Sequence, residues 1–416
     1  MKNAALSAFF TKILAAFIAA IVPVVTLLSL PFTGLTDSEP AKVREQAGGF
    51  MKGICHTDHD FDMIKGANIE WIREDIPVPF DRNGEPSIFY EWWKQEAAKY
   101  VENGFKIFAV TPYPKDFIYY GFDPREEEGA QKIKEIAEFY VNDLRGIVSA
   151  YQIANEMGVD RFTAPLTMEE AARFIGIQLE AMAPLTKGNE LIGYNLGGLG
   201  FVQLIFKMTE YNKLCDYVGC DLYVGSFENL AKNIDTYFAA LNLVRAITRR
   251  PIIMTEFGYI GYGEPKTREE KDEILRSYGF ESEEDAAKDI DTFVSRLPGP
   301  IRDEFDRLYK DKTDEEKLKL LFDGEYTNHI YKSLQDGTGL YGYEHTPEGQ
   351  AKFYSYLIPK LRKLPWCIGA IIYMWDDSDS CYVCGQEDCP VETGWGIVDG
   401  NGEPKPAYYA VQKAFE

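Results

Sequence analysis

The fold prediction depends first on AYQIANEM, residues 150–157, an apolar run that ends in Asn155 and Glu156. Such a run is typical of a buried strand. A carboxylate at the C-terminal end of a buried strand is costly unless another group uses it. The run PIIMTEFGY, residues 251–259, has the same design and carries a second carboxylate, Glu256. The two runs predict two strands that bring acidic side chains to one edge of a sheet.

Strand-like runs alternate with amphipathic segments along most of the chain. The other runs are FMKGICH (50–56), IEWIRED (69–75), FKIFAVTPY (105–113), LIGYNLGG (191–198), YVGCDLYV (217–224) and IGAIIYMW (368–375). Near-continuous apolar runs separated by helices predict a parallel sheet that is buried on both faces. Eight such units in a chain of 416 residues favour an α/β fold of the (β/α)8 TIM-barrel type over two doubly wound domains.

The segment between the seventh and eighth runs is far longer than one helix needs. Residues 264–345 are highly charged and include the helix-forming stretch TDEEKLKLLF (313–322), whereas the barrel's own helix is predicted at 346–364. We therefore predict a helical insertion between strands 7 and 8, on the barrel face that carries active sites. It either forms a lid or cleft wall or is a peripheral subdomain.

The N-terminal residues 1–36 predict a targeting segment. The uncharged run at 13–30 follows two lysines, and its length lies between a signal-peptide core and a membrane span. We expect a secreted or extracytoplasmic protein, whose segment is either cleaved or retained as a membrane tether. A polar linker, 37–48, would then lead to the barrel domain, 49–416.

Charge and composition restrict the partners. The net charge of −22 argues against a nucleic-acid partner, because phosphates would be repelled. The hydrophobic content of 45% supports a substantial core, and the aromatic content of 14% offers rings that either fill that core or stack on sugars. A neutral or cationic substrate fits this composition.

Cysteines are concentrated near the C-terminus, in the pattern Cys381-x2-Cys384-x4-Cys389. This cluster is either a disulfide-pinned loop or a zinc site. Three cysteines without an evident fourth ligand are a weak metal signal, and an exported chain favours disulfides. We therefore predict the disulfide-pinned loop and no metal site.

A second group, His56, Asp58, His59 and Asp60, follows the first strand run. Four residues packed into five positions seldom converge on one ion, so a divalent metal is the weaker interpretation. Binding of sugar hydroxyls, by His56 above all, fits a barrel better. No cofactor is expected.

The pair Glu156 and Glu256 suggests a chemistry. Cleavage of an acetal at neutral pH needs two carboxyl groups in opposite protonation states, one to protonate the departing oxygen and one to attack the anomeric carbon or activate water. A single glutamate at a strand end is more often structural. Two of them, on the fourth and seventh strands of a barrel, favour a catalytic pair.

In these motifs, IANEM and IIMTEFGY, the chain resembles the clan A glycoside hydrolases across nearly all of residues 50–415. Members of this clan carry Asn-Glu after strand 4 and a second Glu after strand 7. The resemblance implies that Glu156 is the acid/base, that Glu256 is the nucleophile and that the reaction retains anomeric configuration. The NEM sequence departs from the commoner Asn-Glu-Pro, so no family within the clan is assigned.

The resemblance implies further site residues. Asn155 would bind the sugar 2-hydroxyl, Arg73 would lie beneath the nucleophile and Tyr223 would donate to its carboxylate. Trp375, at the end of the eighth run, would form the floor of the −1 sugar site. Tyr113 stands where some families of the clan have a histidine.

These observations predict a retaining O-glycosyl hydrolase that cleaves β-glycosidic bonds of an oligo- or polysaccharide by double displacement. A transglycosylase on the same site is one alternative, with a sugar in place of water as the acceptor. A carbohydrate-binding pseudoenzyme is another, from a different functional class.

Overall fold

A closed barrel of eight parallel strands forms the centre of the protein. The computed structural model describes residues 38–57, 60–198, 200–227, 232–324, 326–335 and 337–416. The strands pair in sequence order, and the eighth pairs with the first. They are β1 (Met51–Cys55), β2 (Trp71–Asp75), β3 (Lys106–Val110), β4 (Val148–Ile153), β5 (Leu191–Leu196), β6 (Tyr217–Leu222), β7 (Ile252–Phe257) and β8 (Cys367–Ile372). The predicted (β/α)8 barrel is confirmed.

Helices pack around the barrel and also form a lobe beside it. They are α1 (Ser38–Gln46), α2 (Phe61–Gly66), α3 (Ile88–Glu102), α4 (Pro114–Tyr119), α5 (Glu127–Asp143), α6 (Asp160–Thr163), α7 (Met168–Thr186), α8 (Phe201–Lys207), α9 (Thr236–Thr248), α10 (Arg268–Ser277), α11 (Glu283–Ala286), α12 (Ile290–Arg296), α13 (Gly299–Leu308), α14 (Asp314–Phe322), α15 (Thr327–Tyr331), α16 (Pro347–Lys363), α17 (Pro390–Thr393) and α18 (Pro406–Phe415), with a 3-10 turn at Asn212–Leu214. The predicted helix at 346–364 is α16.

Burial on both faces explains why the strand runs are almost wholly apolar. Every residue of β5, β7 and β8 is buried. Side chains such as Trp71, Phe108 and Tyr217 fill the barrel interior, while the alternate residues pack against the helices. Polar residues at the strand ends therefore stand out from an apolar background, and they collect at the carboxyl end of the barrel.

The polar linker predicted at 37–48 is instead mostly helical, because residues 38–46 form α1. Val43 and Ala47 are buried on its inner face. Arg44 also donates from Nη2 to the carbonyl oxygen of Cys367, at 2.5 Å, at the start of β8. These contacts attach α1 to the barrel.

The predicted insertion between β7 and β8 is confirmed as a helical lobe, α10 to α15, which we call the insertion lobe. It has a hydrophobic core of its own, which includes Phe293, Phe305 and Leu321 and is shared with Cys381–Val391 of the loop after β8. The lobe meets the barrel through Glu304 of α13, whose carboxylate lies 3.1 Å from Arg161 and 3.9 Å from Lys115. Those two residues follow β4 and β3, so the lobe lies beside the loops at the carboxyl ends of the strands.

The run at 13–30 lies outside the described residues, so the targeting segment stays a prediction. No helix among the described residues combines the length and apolar content that a membrane crossing requires.

Candidate active site

The carboxylate of Glu256, in β7, is held at both oxygens. Arg73 of β2 lies 2.7 Å from Oε1, and both side chains are almost fully buried. The hydroxyl of Tyr223, one residue beyond β6, donates to Oε2 at 2.5 Å. Charge-assisted hydrogen bonds from two directions fix the carboxylate in one orientation.

Asn155 is oriented by the same arginine. Its Oδ1 accepts hydrogen bonds from Arg73 (2.8 Å), Asn195 (2.6 Å) and Gln152 (3.0 Å). Because arginine can only donate, the atom that faces it must be the amide oxygen rather than the nitrogen. The amide NH2 group of Asn155 is thereby turned away from Arg73.

Glu156 follows β4 in a left-handed backbone conformation, with φ of 46°. Its backbone N–H donates to Oδ1 of Asn195 at 2.8 Å. Its carboxyl group lies over Gly197, where a Cβ atom would stand 2.3 Å from Oε1. Two residues from β5 and the loop after it thus position Glu156, and one of them must lack a side chain.

Tyr223 lies near both glutamates. Its partly buried position and then the negative charges of Glu256 and Glu156 raise its pKa well above the ordinary value of tyrosine. Both carboxylates are therefore near enough for their charges to act on this hydroxyl, which remains a proton donor at neutral pH. The structure brings together Glu156, Glu256, Arg73, Asn155 and Tyr223.

Sequence reasoning missed a buried polar layer beneath these groups. Asn195 donates to Asp221 at 2.5 Å, and Thr255 donates to the other carboxylate oxygen of Asp221 at 2.6 Å. Burial, followed by the charge of Glu256, raises the pKa of Asp221 well above its usual range, although Arg73 opposes the shift. The sequence does indicate this layer, because Asn195 in LIGYNL and Asp221 in YVGCDL are polar residues within apolar strands.

The prediction for Trp375 is wrong. Strand β8 ends at Ile372, so strand alternation does not fix the direction of a side chain three residues later. Trp375 is fully buried in the core between barrel and helices, with its ring 6.3 Å from that of Tyr408. A ring with no exposed face offers no floor to a sugar.

Tyr373, rather than Trp375, is the aromatic residue after β8 that lies beside Tyr223. It is partly exposed, and its ring packs edge-on against Tyr223 (5.9 Å), His56 (5.7 Å) and Trp395 (5.8 Å). His56 is thus beside the site, with an exposed side chain. Trp395 is fully buried behind these rings.

Tyr113 lies at a second aromatic surface. It stacks on Phe162 with ring centroids 5.2 Å apart. Burial, followed by the charges of Asp75 and Glu256, raises its pKa well above the usual value. Arg161 lies over the rings of Phe162 and Tyr382, at 5.4 and 5.3 Å. Phe162 and Tyr382 extend the aromatic lining toward the insertion lobe, and sequence reasoning had selected neither.

Glu392 of α17 is a further buried acid near the site. The hydroxyl of Tyr373 donates to its Oε2 at 3.4 Å. Burial raises the pKa of Glu392 to about 8, although Arg161 opposes the shift. Glu392 is therefore mainly protonated at neutral pH.

Two groups of potential metal ligands differ in outcome. Asp58 and His59 lie outside the described residues, and Asp60 caps α2 by accepting from the N–H of Met63 at 3.0 Å. Near the C-terminus, the predicted disulfide-pinned loop is wrong: the described cysteines are all free. Instead, the thiols of the three-cysteine cluster converge on His329 of the insertion lobe.

Comparison with known proteins identifies the fold alone. No family model matches the chain, and no curated protein matches it. A β-glucuronidase from Bacteroides uniformis is 12% identical, with a TM-score of 0.51 over 88% of this chain and 35% of that one. A glucosidase from Croceicoccus marinus is 10% identical, with a TM-score of 0.51 over 88% of this chain and 67% of that one. This chain thus spans about a third of the length of the Bacteroides protein.

Proposed function

We propose that the protein is a glycoside hydrolase that cleaves β-glycosidic bonds of an oligo- or polysaccharide with retention of configuration. The observation that carries the proposal is the carboxylate of Glu256, held by Arg73 and Tyr223, with Glu156 near enough that the charges of both glutamates act on the same tyrosine. A carboxylate that is held in one orientation is suited to be a nucleophile. The barrel fold shared with proteins named as a β-glucuronidase and a glucosidase agrees with this chemistry.

The proposed reaction has two displacement steps. In the first, Glu256 attacks the anomeric carbon and forms a glycosyl ester, while Glu156 gives its proton to the departing oxygen. In the second, Glu156 takes a proton from water, whose oxygen attacks the same carbon and releases Glu256. Two inversions restore the β configuration, so the sugar leaves as it was bound.

The surrounding residues contribute at defined points. The amide NH2 group of Asn155, turned away from Arg73, lies within hydrogen-bond reach of the hydroxyl of Tyr113, and these two groups would bind a sugar hydroxyl beside the nucleophile. The exposed side of Tyr373 and the side chain of His56 offer contacts to the sugar in the site. The left-handed conformation at Glu156 is a strained arrangement of a kind that clusters at functional sites.

A substrate panel combined with matched glutamine variants tests the proposal. Aryl β-glycosides, β-mannan, β-glucan and xylan are assayed with the wild type, Glu256→Gln and Glu156→Gln, and NMR follows the first anomer released. Glu190→Gln is the control, because Glu190 is also buried and paired with an arginine (Arg145, 3.2 Å), but at the opposite end of the barrel. We expect loss of turnover in the two site variants only, and a β product first.

Azide separates the two roles. In Glu256→Ala it should attack the anomeric carbon directly and give an α-glycosyl azide, whereas in Glu156→Ala it should intercept the ester and give a β-glycosyl azide. An α product from the wild type, or full activity of Glu256→Gln, contradicts the mechanism. So does an experimental carboxyl separation of about 6.5–9.5 Å, since retention requires about 5–5.5 Å.

A further inference from the structure

Three thiols and one imidazole meet where the insertion lobe contacts the loop after β8. The sulfurs of Cys381, Cys384 and Cys389 and a ring nitrogen of His329 all lie within 4.8 Å of one another. The cysteines are 0–1% exposed and His329 is 6% exposed. Nδ1 of His329 lies 3.4 Å from the sulfur of Cys381 and 3.9 Å from that of Cys389.

These distances agree with the edges of a zinc tetrahedron. Zinc binds thiolate sulfur at about 2.3 Å and imidazole nitrogen at about 2.0–2.1 Å, so the sulfur-to-nitrogen edge of a tetrahedral site is about 3.6 Å. The two distances from His329 lie on either side of that value. The spacing Cys-x2-Cys is also typical of structural zinc sites.

The immediate surroundings are apolar. Val383 and Val391 flank the cysteines along the loop, and Ile330 and Tyr331 follow the histidine, all of them buried in the core of the insertion lobe. A buried imidazole needs a partner for its nitrogen lone pair. A disulfide would use two of the three thiols and leave the third beside the histidine, whereas a metal ion would use all four groups.

We propose that Cys381, Cys384, Cys389 and His329 bind one structural zinc ion. Thiolate ligands select zinc over calcium or magnesium, which prefer oxygen. Four protein ligands complete a tetrahedron and leave no position for water or substrate, so the ion is structural rather than catalytic. On binding, the thiols lose their protons to solvent and the histidine binds as neutral imidazole.

The zinc site joins two parts of the chain that the barrel alone does not connect. His329 lies in α15 of the insertion lobe, while the cysteines lie in the loop that follows β8. Tyr382, whose ring lies under Arg161, is in this loop between Cys381 and Cys384. The loop leads directly into α17, which contains Glu392. The ion therefore holds the lobe and one wall of the candidate site in a fixed arrangement, whatever reaction the site performs.

Metal content of the purified full-length protein tests the site directly. We expect one zinc per chain in the wild type by elemental analysis, and a loss of at least tenfold in Cys384→Ser and His329→Ala. Cys215→Ala is the matched control, because Cys215 is equally buried but lies outside the cluster. It should keep its zinc. Retention of zinc by both site variants, or a zinc-free wild type after refolding with zinc chloride, overturns the proposal.

Three measurements on the wild type do not depend on the folding of variants. An organomercurial thiol reagent should release one zinc as three thiols react, measured with a chromogenic chelator. Refolding with cobalt should give the visible absorption of tetrahedral, thiolate-bound Co²⁺. Non-reduced peptide mapping that finds a disulfide between any two of Cys381, Cys384 and Cys389 in the native protein refutes the zinc site.

Discussion

The hydroxyl of Tyr223 tests the candidate site most sharply, because one atom can be removed without changing the shape of the ring. In Tyr223→Phe, Glu256 keeps Arg73 but loses the 2.5 Å hydrogen bond to Oε2. A hydrogen bond to a charged group contributes about 1.5–3 kcal/mol. If the bond positions the nucleophile in the transition state, kcat/KM falls about 10–150-fold by the usual conversion of free energy into rate.

The control for this experiment is Tyr217, at the start of the strand that Tyr223 follows. The hydroxyl of Tyr217 donates to the backbone oxygen of Tyr151 at 2.8 Å, inside the barrel and below the site. Tyr217→Phe removes the same atom from the same residue type, but its acceptor is a neutral backbone oxygen rather than the carboxylate of Glu256. Steady-state kinetics on an aryl β-glycoside and thermal unfolding are measured for both variants. Equal kcat/KM values for Tyr223→Phe and the wild type would refute the donor role, and equal losses in both variants would indicate a structural effect.

Two further predictions concern the groups around the glutamates. Gly197→Ala should displace the carboxyl group of Glu156, because the new Cβ would stand 2.3 Å from its Oε1; a misplacement of this kind lowers kcat/KM by about a hundredfold, while thermal unfolding should barely change. Unchanged kinetics would show that Glu156 adapts without loss. Folding raises the pKa of Glu392 from 4.5 to about 8. The contribution of its protonated carboxyl group to stability is therefore complete below pH 4.5 and is lost as the pH rises through 8. The free energy of unfolding should therefore fall between pH 5 and 8 by about 1.4 kcal/mol per pH unit from this group, and urea titrations of Glu392→Gln should lack that component; the same slope in both proteins would contradict it.

The parts of the structure that the sequence predicts well are those that repeat. The eight apolar runs became the eight strands because a strand covered on both faces leaves few positions for polar residues. Arg73, Glu156 and Glu256 stood out for the same reason, as charged residues at the ends of such runs. In a closed barrel all strand ends meet at one rim, so residues far apart in the sequence converge there.

Errors arose where a position was not set by the strands. Trp375 lies three residues beyond β8, and the chain's path there is decided by packing rather than by alternation. His329 is separated from Cys381 by 52 residues, with no local spacing to connect them. Asn195 and Asp221 were visible as polar residues, but their roles depend on partners in neighbouring strands.

The support that Asn195 and Gly197 give to Glu156 has a consequence for protein engineering. Loops at the carboxyl end of such barrels are attractive units for exchange between enzymes, because the strands beneath them are regular. Here the loop after β4 is not an independent unit, since its key backbone N–H and carboxyl group rest on residues from β5 and the loop after it. A chimera that imports IANEM alone would contain Glu156 without Asn195 and Gly197, the two residues that position it. The smallest transferable cassette would extend from residue 148 to residue 200.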